Sequence, residues 1–268
     1  MLIDQGILRK AQMIMLSELI EVDRICKKYD ITYWIDSGTF LGAVRHKGFI
    51  PWDDDLDICM LSKDYDEFLK VVKKELNKRF FFDNKSTDNL TYFDYSRIRD
   101  RNSILLQKNH SLQEKFHQGI FMDIFVMDSF DCRIKKIYKI LYRLKEMKIS
   151  RKRNSYIILK KIVLFLRINK ILNLFLKKSN KKSIVGYRYW FNNMYNYKDI
   201  FPLSEIEFEG HKFPCPNNAD SYLKELYGNT YMELPPKEAR IWHAKEIRLN
   251  EKCFFEKELE KTGRKLYE

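Results

Sequence analysis

The segment Pro51-Trp52-Asp53-Asp54-Asp55-Leu56-Asp57-Ile58 constrains this chain more than any other. It sets four carboxylates in five positions, with no base among them, between an indole and an apolar run. On a strand alternate residues share a face, so Asp53, Asp55 and Asp57 point one way while Leu56 and Ile58 enter a core. Carboxylates gathered on one face repel, and some take up protons unless a cation neutralises them. A hard divalent ion with oxygen ligands is the natural remedy, and Mg²⁺, or Mn²⁺ in its place, suits phosphate chemistry. The competing reading is a solvated acidic turn. Flanking by Trp52 and an apolar strand favours the metal.

A second acid has a similar setting. Gly119-Ile120-Phe121-Met122-Asp123-Ile124-Phe125-Val126 is apolar around one central carboxylate. A charge inside a buried strand is costly unless it is paired or bound to metal. Asp123 is therefore a candidate third ligand, or the base for an attacking hydroxyl; the bland alternative is a strand-end aspartate capping a loop. Upstream, Ser37-Gly38-Thr39 can offer backbone N–H groups and a hydroxyl to a phosphate at a helix start, although ordinary turns share this composition. Arg45, His46 and Lys47 follow, and Arg45 is the candidate phosphate contact. Arg97 and Arg99 alternate on an expected strand and share one face. They either assist at the phosphates or lie on a solvent-facing edge.

Apolar residues make up 45% of the 268 positions and aromatics 15%, which supports a core and excludes a disordered chain. The formal net charge is +13, pointing to an anionic partner: nucleic acid, a nucleotide or a membrane surface. That charge has one source. Residues 133–182 hold 18 Lys/Arg against a single acid, Glu146, a net +17 that leaves the remainder at −4. Cys26, Cys59, Cys132, Cys215 and Cys253 are odd in number and widely spaced. No pair has zinc-site spacing, so reduced, buried thiols in the cytoplasm are expected. The Met1 end carries Asp4 and no long apolar run, and no stretch suggests a secretory signal or a spanning helix.

Leu8, Ala11, Met15, Leu19, Val22 and Cys26 recur at helical spacing and predict a helix over 5–29. Strands are expected at Thr32–Asp36, Asp55–Leu61, Arg79–Asp83, Tyr92–Asp100, Ser103–Gln107 and Gly119–Met127. A helix capped by Asp64 should run to about Leu76. The alternation predicts an α/β (α+β) mixed sheet with flanking helices. The basic segment reads as wholly helical. Ile158, Ile162, Phe165, Leu172 and Leu176 form a stripe, with Lys160, Lys161, Lys170, Lys177 and Lys178 largely off it. Such a helix suits an anionic membrane surface; packing of the stripe on the core is the alternative.

Trp34-Ile35-Asp36-Ser37-Gly38-Thr39-Phe40-Leu41-Gly42-Ala43-Val44-Arg45-His46 and Gly48-Phe49-Ile50-Pro51-Trp52-Asp53-Asp54-Asp55-Leu56-Asp57 together closely resemble the LicD family. That family includes bacterial phosphocholine transferases, with fukutin and fukutin-related protein as distant relatives. Gly119–Phe125 is similar to its later G-x-x-x-D-I-F strand. Leu226-Tyr227-Gly228, with Tyr231 and Pro235, is similar to its C-terminal element. The resemblance covers about residues 5–131 and 200–245, and leaves 133–198 unmatched.

This resemblance implies a nucleotidyltransferase-like fold with a catalytic core at 1–131; the basic pattern adds a helical segment at 132–198, and a C-terminal part, 199–268, is expected to pack on the core. It implies Gly38 and Thr39 as the phosphate turn, Asp55, Asp57 and Asp123 as metal ligands, and Asp53 as an assisting acid. Asp123 is then the candidate base and Asp53 the runner-up. The implied reaction moves a phospho-alcohol, such as phosphocholine, from a CDP-linked donor to a hydroxyl of a cell-surface glycan or its lipid-linked precursor. The expected location is cytoplasmic, at the inner face of the cell membrane. A choline group would need aromatic faces, and Trp34, Trp52 and Tyr33 lie near the motif. Two other classes compete: a nucleotidyltransferase acting on nucleic acid or a small molecule, and a non-catalytic membrane adaptor. The long Gly38–Asp57 block and the intact acidic set argue against both, and no nucleic acid partner is expected.

Overall fold

The computed structural model describes residues 4–262 except 89, 92–94, 132–181 and 188–192. Helix α1 spans Gln5–Tyr29, as the apolar spacing requires. Asp4 caps it by accepting from the Ile7 N–H at 3.0 Å, and the left-handed Asp30 ends it. Leu8, Ala11, Met15, Leu19, Val22 and Cys26 are all buried, so the stripe faces the core.

The remaining elements follow in chain order: β1 (Tyr33–Ile35), α2 (Ser37–His46), β2 (Asp57–Leu61), α3 (Ser62–Glu75), β3 (Phe80–Asp83), β4 (Ser96–Asp100), β5 (Ser103–Gln107) and β6 (Phe121–Asp131). After the undescribed residues come β7 (Lys182–Tyr187), β8 (Met194–Asn196), α4 (Tyr197–Ile200), β9 (Ser204–Phe208), β10 (His211–Cys215), α5 (Ala219–Tyr227), β11 (Ala244–Leu249) and α6 (Phe254–Thr262). The main sheet runs β1-β2-β6-β4-β3, with β7 and β8 continuing from the far half of β6. β2 and β6 are parallel; the other pairings are antiparallel. Two small sheets, β9–β10 and β5–β11, complete an α+β architecture.

Ser37-Gly38-Thr39 opens α2, the helix start expected of it. Two expectations change. Asp64 lies inside the first turn of α3 and accepts from the Thr32 N–H instead of capping. The segment 132–198 is not helical throughout, because Lys182–Tyr187 and Met194–Asn196 are strands of the main sheet. Buried Ile184, Val185 and Tyr187, together with the ladder to β6, draw this end into the sheet, whatever the charge upstream. The stripe from Ile158 to Leu176 lies outside the described residues. Cys26, Cys59, Cys215 and Cys253 are free and buried, in keeping with reduced thiols; Cys132 lies outside the described residues.

Candidate active site

The two acids that sequence placed on separate strands stand side by side. In the parallel pairing of β2 and β6, Asp57 is the register partner of Asp123, and the Asp123 N–H donates to the Leu56 carbonyl at 2.7 Å. Asp57 is fixed from both ends. Its N–H donates to Thr39 Oγ1 at 2.8 Å, and its carbonyl accepts from the Asp36 N–H at 3.0 Å. The Thr39 hydroxyl thus ties α2 to the acidic strand and does not line the cavity described below. Asp36 is buried beneath this junction and accepts from the hydroxyls of Tyr187 and Tyr222.

Before β2 the acidic run is extended, held by Gln12, whose side-chain amide donates to the carbonyls of Ile50 and Asp53 at 3.3 and 3.0 Å. Asp53, Asp55 and Asp57 face one cavity of about 540 Å³, whereas Leu56 and Ile58 are fully buried, as the alternation requires. Gly38 borders the same cavity. A Cβ there would lie 2.8 Å from Asp53 Oδ2, so only glycine lets the acid approach the start of α2 so closely.

Asp54 has another task. It is buried and faces the C-terminal part, accepting from the His243 and Ala244 N–H groups at 2.8 and 2.6 Å. His243 Nδ1 lies 3.0 Å from Asp54 Oδ1 and 3.3 Å from Asp55 Oδ2. The acidic run is therefore clamped to β11 across the cavity floor. Bonding to Asp54 raises the His243 imidazole above its ordinary range, against burial.

Electrostatics follow from crowding. Burial, and Asp55 beside it, push the Asp53 carboxyl well above the usual range. Burial and the neighbouring carboxylates do the same to Asp57. Burial takes Asp55 up to about 6, with His243 pulling the other way. Asp123 is raised by burial against the pull of Arg97. These groups cannot all ionise in so small a space without a counter-charge. Hard oxygen donors on converging strands fit a divalent cation such as Mg²⁺. Asp55 and Asp57, with Asp53 beside them, border the cavity and could hold it; Asp123 does not border the cavity, and Arg97 holds its carboxylate. Asp54, Asp55 and His243 also offer atoms within 4.8 Å of one another, so Asp55 stands in both groupings.

Other expectations need correction. Arg97 and Arg99 are buried and border no part of the cavity. Arg97 holds both oxygens of Asp123 and stacks 3.8 Å over the Phe121 ring; Arg99 pairs with Asp83 and donates to the Gly119 carbonyl. β4 is an interior strand between β3 and β6, so its arginines meet buried acids on neighbouring strands, and neither a phosphate nor a solvent-facing edge. Trp34 and Tyr33 are core residues, Trp34 packing edge-on to Phe201. Trp52 does border the cavity, as do Arg45, Tyr227, Tyr231, Arg240 and His243. The last two were not singled out from sequence. The available signal was a polar, proline-punctuated stretch carrying Arg240 and His243, and nothing local shows that it returns to Asp54, 189 residues away.

A mixed sheet whose parallel strands set two acids in register, beside a helix start tied to one of them, fits a nucleotidyltransferase-type transferase. The profile described as LicD/FKTN/FKRP, nucleotidyltransferase domain, matches residues 30–155. The lipopolysaccharide cholinephosphotransferase LicD of Haemophilus influenzae is 31% identical over 261 residues, covering 88% of this chain and 95% of that protein. The chain belongs to the LicD family. Shorter similarities join it to uncharacterized proteins of Rickettsia typhi, 48% identical over 52 residues (19% of this chain, 17% of that protein), and Rickettsia prowazekii, 30% over 106 (38% and 40%).

Proposed function

We propose that this LicD-family transferase moves a phospho-alcohol of the phosphocholine type from a CDP-linked donor to a hydroxyl of a surface glycan or its lipid-linked precursor. The observation that carries the reading is the register of Asp57 with Asp123 on parallel strands, with Asp53 and Asp55 facing the same cavity. The name of the Haemophilus relative supports phosphocholine and a lipopolysaccharide acceptor. A divalent ion, when bound, would neutralise the transferring oxygens and the leaving nucleotide.

The chain's own residues supply the rest. Backbone N–H groups at the start of α2, beside Gly38, face phosphate. Both oxygens of Asp123 are engaged by Arg97, whereas Asp53 borders the cavity. Asp53 is thus the better placed acid to take the acceptor's proton. Tyr227 and Tyr231, not Trp34 and Tyr33, offer aromatic surface to a quaternary ammonium.

Incubation with a panel including CDP-choline and CDP-ribitol, with Mg²⁺, tests this. CMP release from at least one donor, lost in EDTA, is expected. Silence across the panel, with nucleotide addition to RNA in its place, would transfer the assignment to the nucleic-acid reading.

Among the described residues no helix is long and apolar enough to cross a membrane. We propose a peripheral position at the inner membrane face, supported by the +17 of residues 133–182. Vesicles with anionic lipid should capture the protein at low salt and release much of it as salt rises, since screening acts over about 8 Å at physiological ionic strength. Equal capture by neutral vesicles would refute the electrostatic account.

A further inference from the structure

The cavity sorts the arginines of this protein. Nine lie among the described residues, and seven of them (Arg9, Arg24, Arg79, Arg97, Arg99, Arg101 and Arg248) form ion pairs with carboxylates. The two that form none among the described residues, Arg45 and Arg240, are the two that border the cavity. A guanidinium ordinarily finds a carboxylate, and acids are abundant here. Withholding two from the acids of the same cavity leaves them for an anion that arrives from outside.

Both are held in place. Arg45, in the last turn of α2, donates through Nη1 to the carbonyls of Tyr231 and Glu233, each at 3.1 Å. Arg240 Cζ lies over the Trp52 indole, 3.8 Å from its centroid, and its Nε is buried without a hydrogen-bond partner among the described residues. A stacked guanidinium keeps its charge and its in-plane N–H fork while one face is shielded from water. Trp52 directly precedes Asp53, so the indole fixes Arg240 at a set place relative to the acids.

We propose that Arg240, seated on Trp52, and Arg45 form an anion subsite for the phosphates of a nucleoside-diphosphate-linked donor. It rests on the donor reading given above. Asp53, Asp55 and Asp57 would hold a cation that neutralises part of the diphosphate charge, and the two guanidiniums would bind phosphate oxygens directly. An N–H fork matches two phosphate oxygens at once and strengthens as charge gathers on the departing nucleotide.

The test uses inorganic pyrophosphate with Mg²⁺ as a probe that contains no alcohol and no base. Calorimetry on the full chain should show binding that Arg240→Gln weakens at least tenfold. Arg240→Lys, which keeps the charge, should recover part of the loss. With a CDP-alcohol that is turned over, the Gln variant should raise KM more than it lowers kcat. Pyrophosphate bound equally by wild type and Arg240→Gln overturns the subsite. So does a Lys variant no better than Gln, which would place the effect in packing at Trp52. If pyrophosphate binding depends on Arg240 while no CDP-alcohol is consumed, the subsite stands and the donor assignment falls.

Discussion

Asp57→Asn is expected to reduce CMP release by about a thousandfold or more while leaving the protein folded. The loss follows from position. Asp57 is locked by Thr39 and Asp36 and lies in register with Asp123, so no other acid can move into its place. Removing one ligand charge from a phosphoryl-transfer centre forfeits on the order of 4 kcal/mol of barrier lowering, which is about a thousandfold in rate. Stability should move the other way, or not at all. Burial and four neighbouring carboxylates disfavour ionised Asp57 in the folded chain, and a neutral amide of the same shape relieves that repulsion. CMP release and a thermal midpoint measured on one preparation check both parts. Activity above a tenth of wild type would remove Asp57 from the centre, and a sharply lowered midpoint would make it a structural residue.

The largest effect on stability is expected at Gly119. A Cβ at this position would lie 2.0 Å from the Asp100 carbonyl oxygen and 2.8 Å from His117 Cε1. The first of these is backbone, at the junction where the Asp100 N–H donates to the Ile120 carbonyl at 2.8 Å. The Gly119 carbonyl also accepts from Arg99 at 3.1 Å. Gly119→Ala must therefore separate the start of β6 from the end of β4 and strain the buried Arg99–Asp83 pair with it. Overpacking of this kind costs about 3 kcal/mol, and the disturbed pair adds to it. Urea unfolding should show a lower midpoint with little change in slope. Gly38→Ala offers a contrast, because the atom it would meet is a side-chain oxygen of Asp53. A Gly119→Ala protein as stable as wild type would mean that the two strands lie further apart than described.

Much of this was legible from sequence, for physical reasons that differ between elements. The helix Gln5–Tyr29 announces itself because one face must be apolar over seven turns. Asp53, Asp55 and Asp57 share the cavity because strand-like backbone alternates faces even before β2 formally begins. Asp123 stood out because a lone charge in an apolar strand needs a reason. What escaped were facts about pairing across long separations. That Arg97 and Arg99 share a face was readable; that β4 lies between two strands, each offering an acid, was not. The role of Asp54 could not be read from the run, because its partners are backbone N–H groups of His243 and Ala244. The stretch from Gly228 to His243 has no period to read, and its role comes only from where it lands.

The pairing of β6 with β7 also closes the two ends of the segment between them. Asp131 and Lys182 are register partners in that antiparallel ladder, so the chain leaves the sheet and rejoins it at neighbouring rungs. Cα atoms across such a pair lie only about 5 Å apart. Whatever residues 132–181 do, they hang from a single doorway whose two posts the sheet already holds together. Asp57, Asp123 and Thr39 lie outside that segment, and the closure of its two ends depends on β6 and β7 alone.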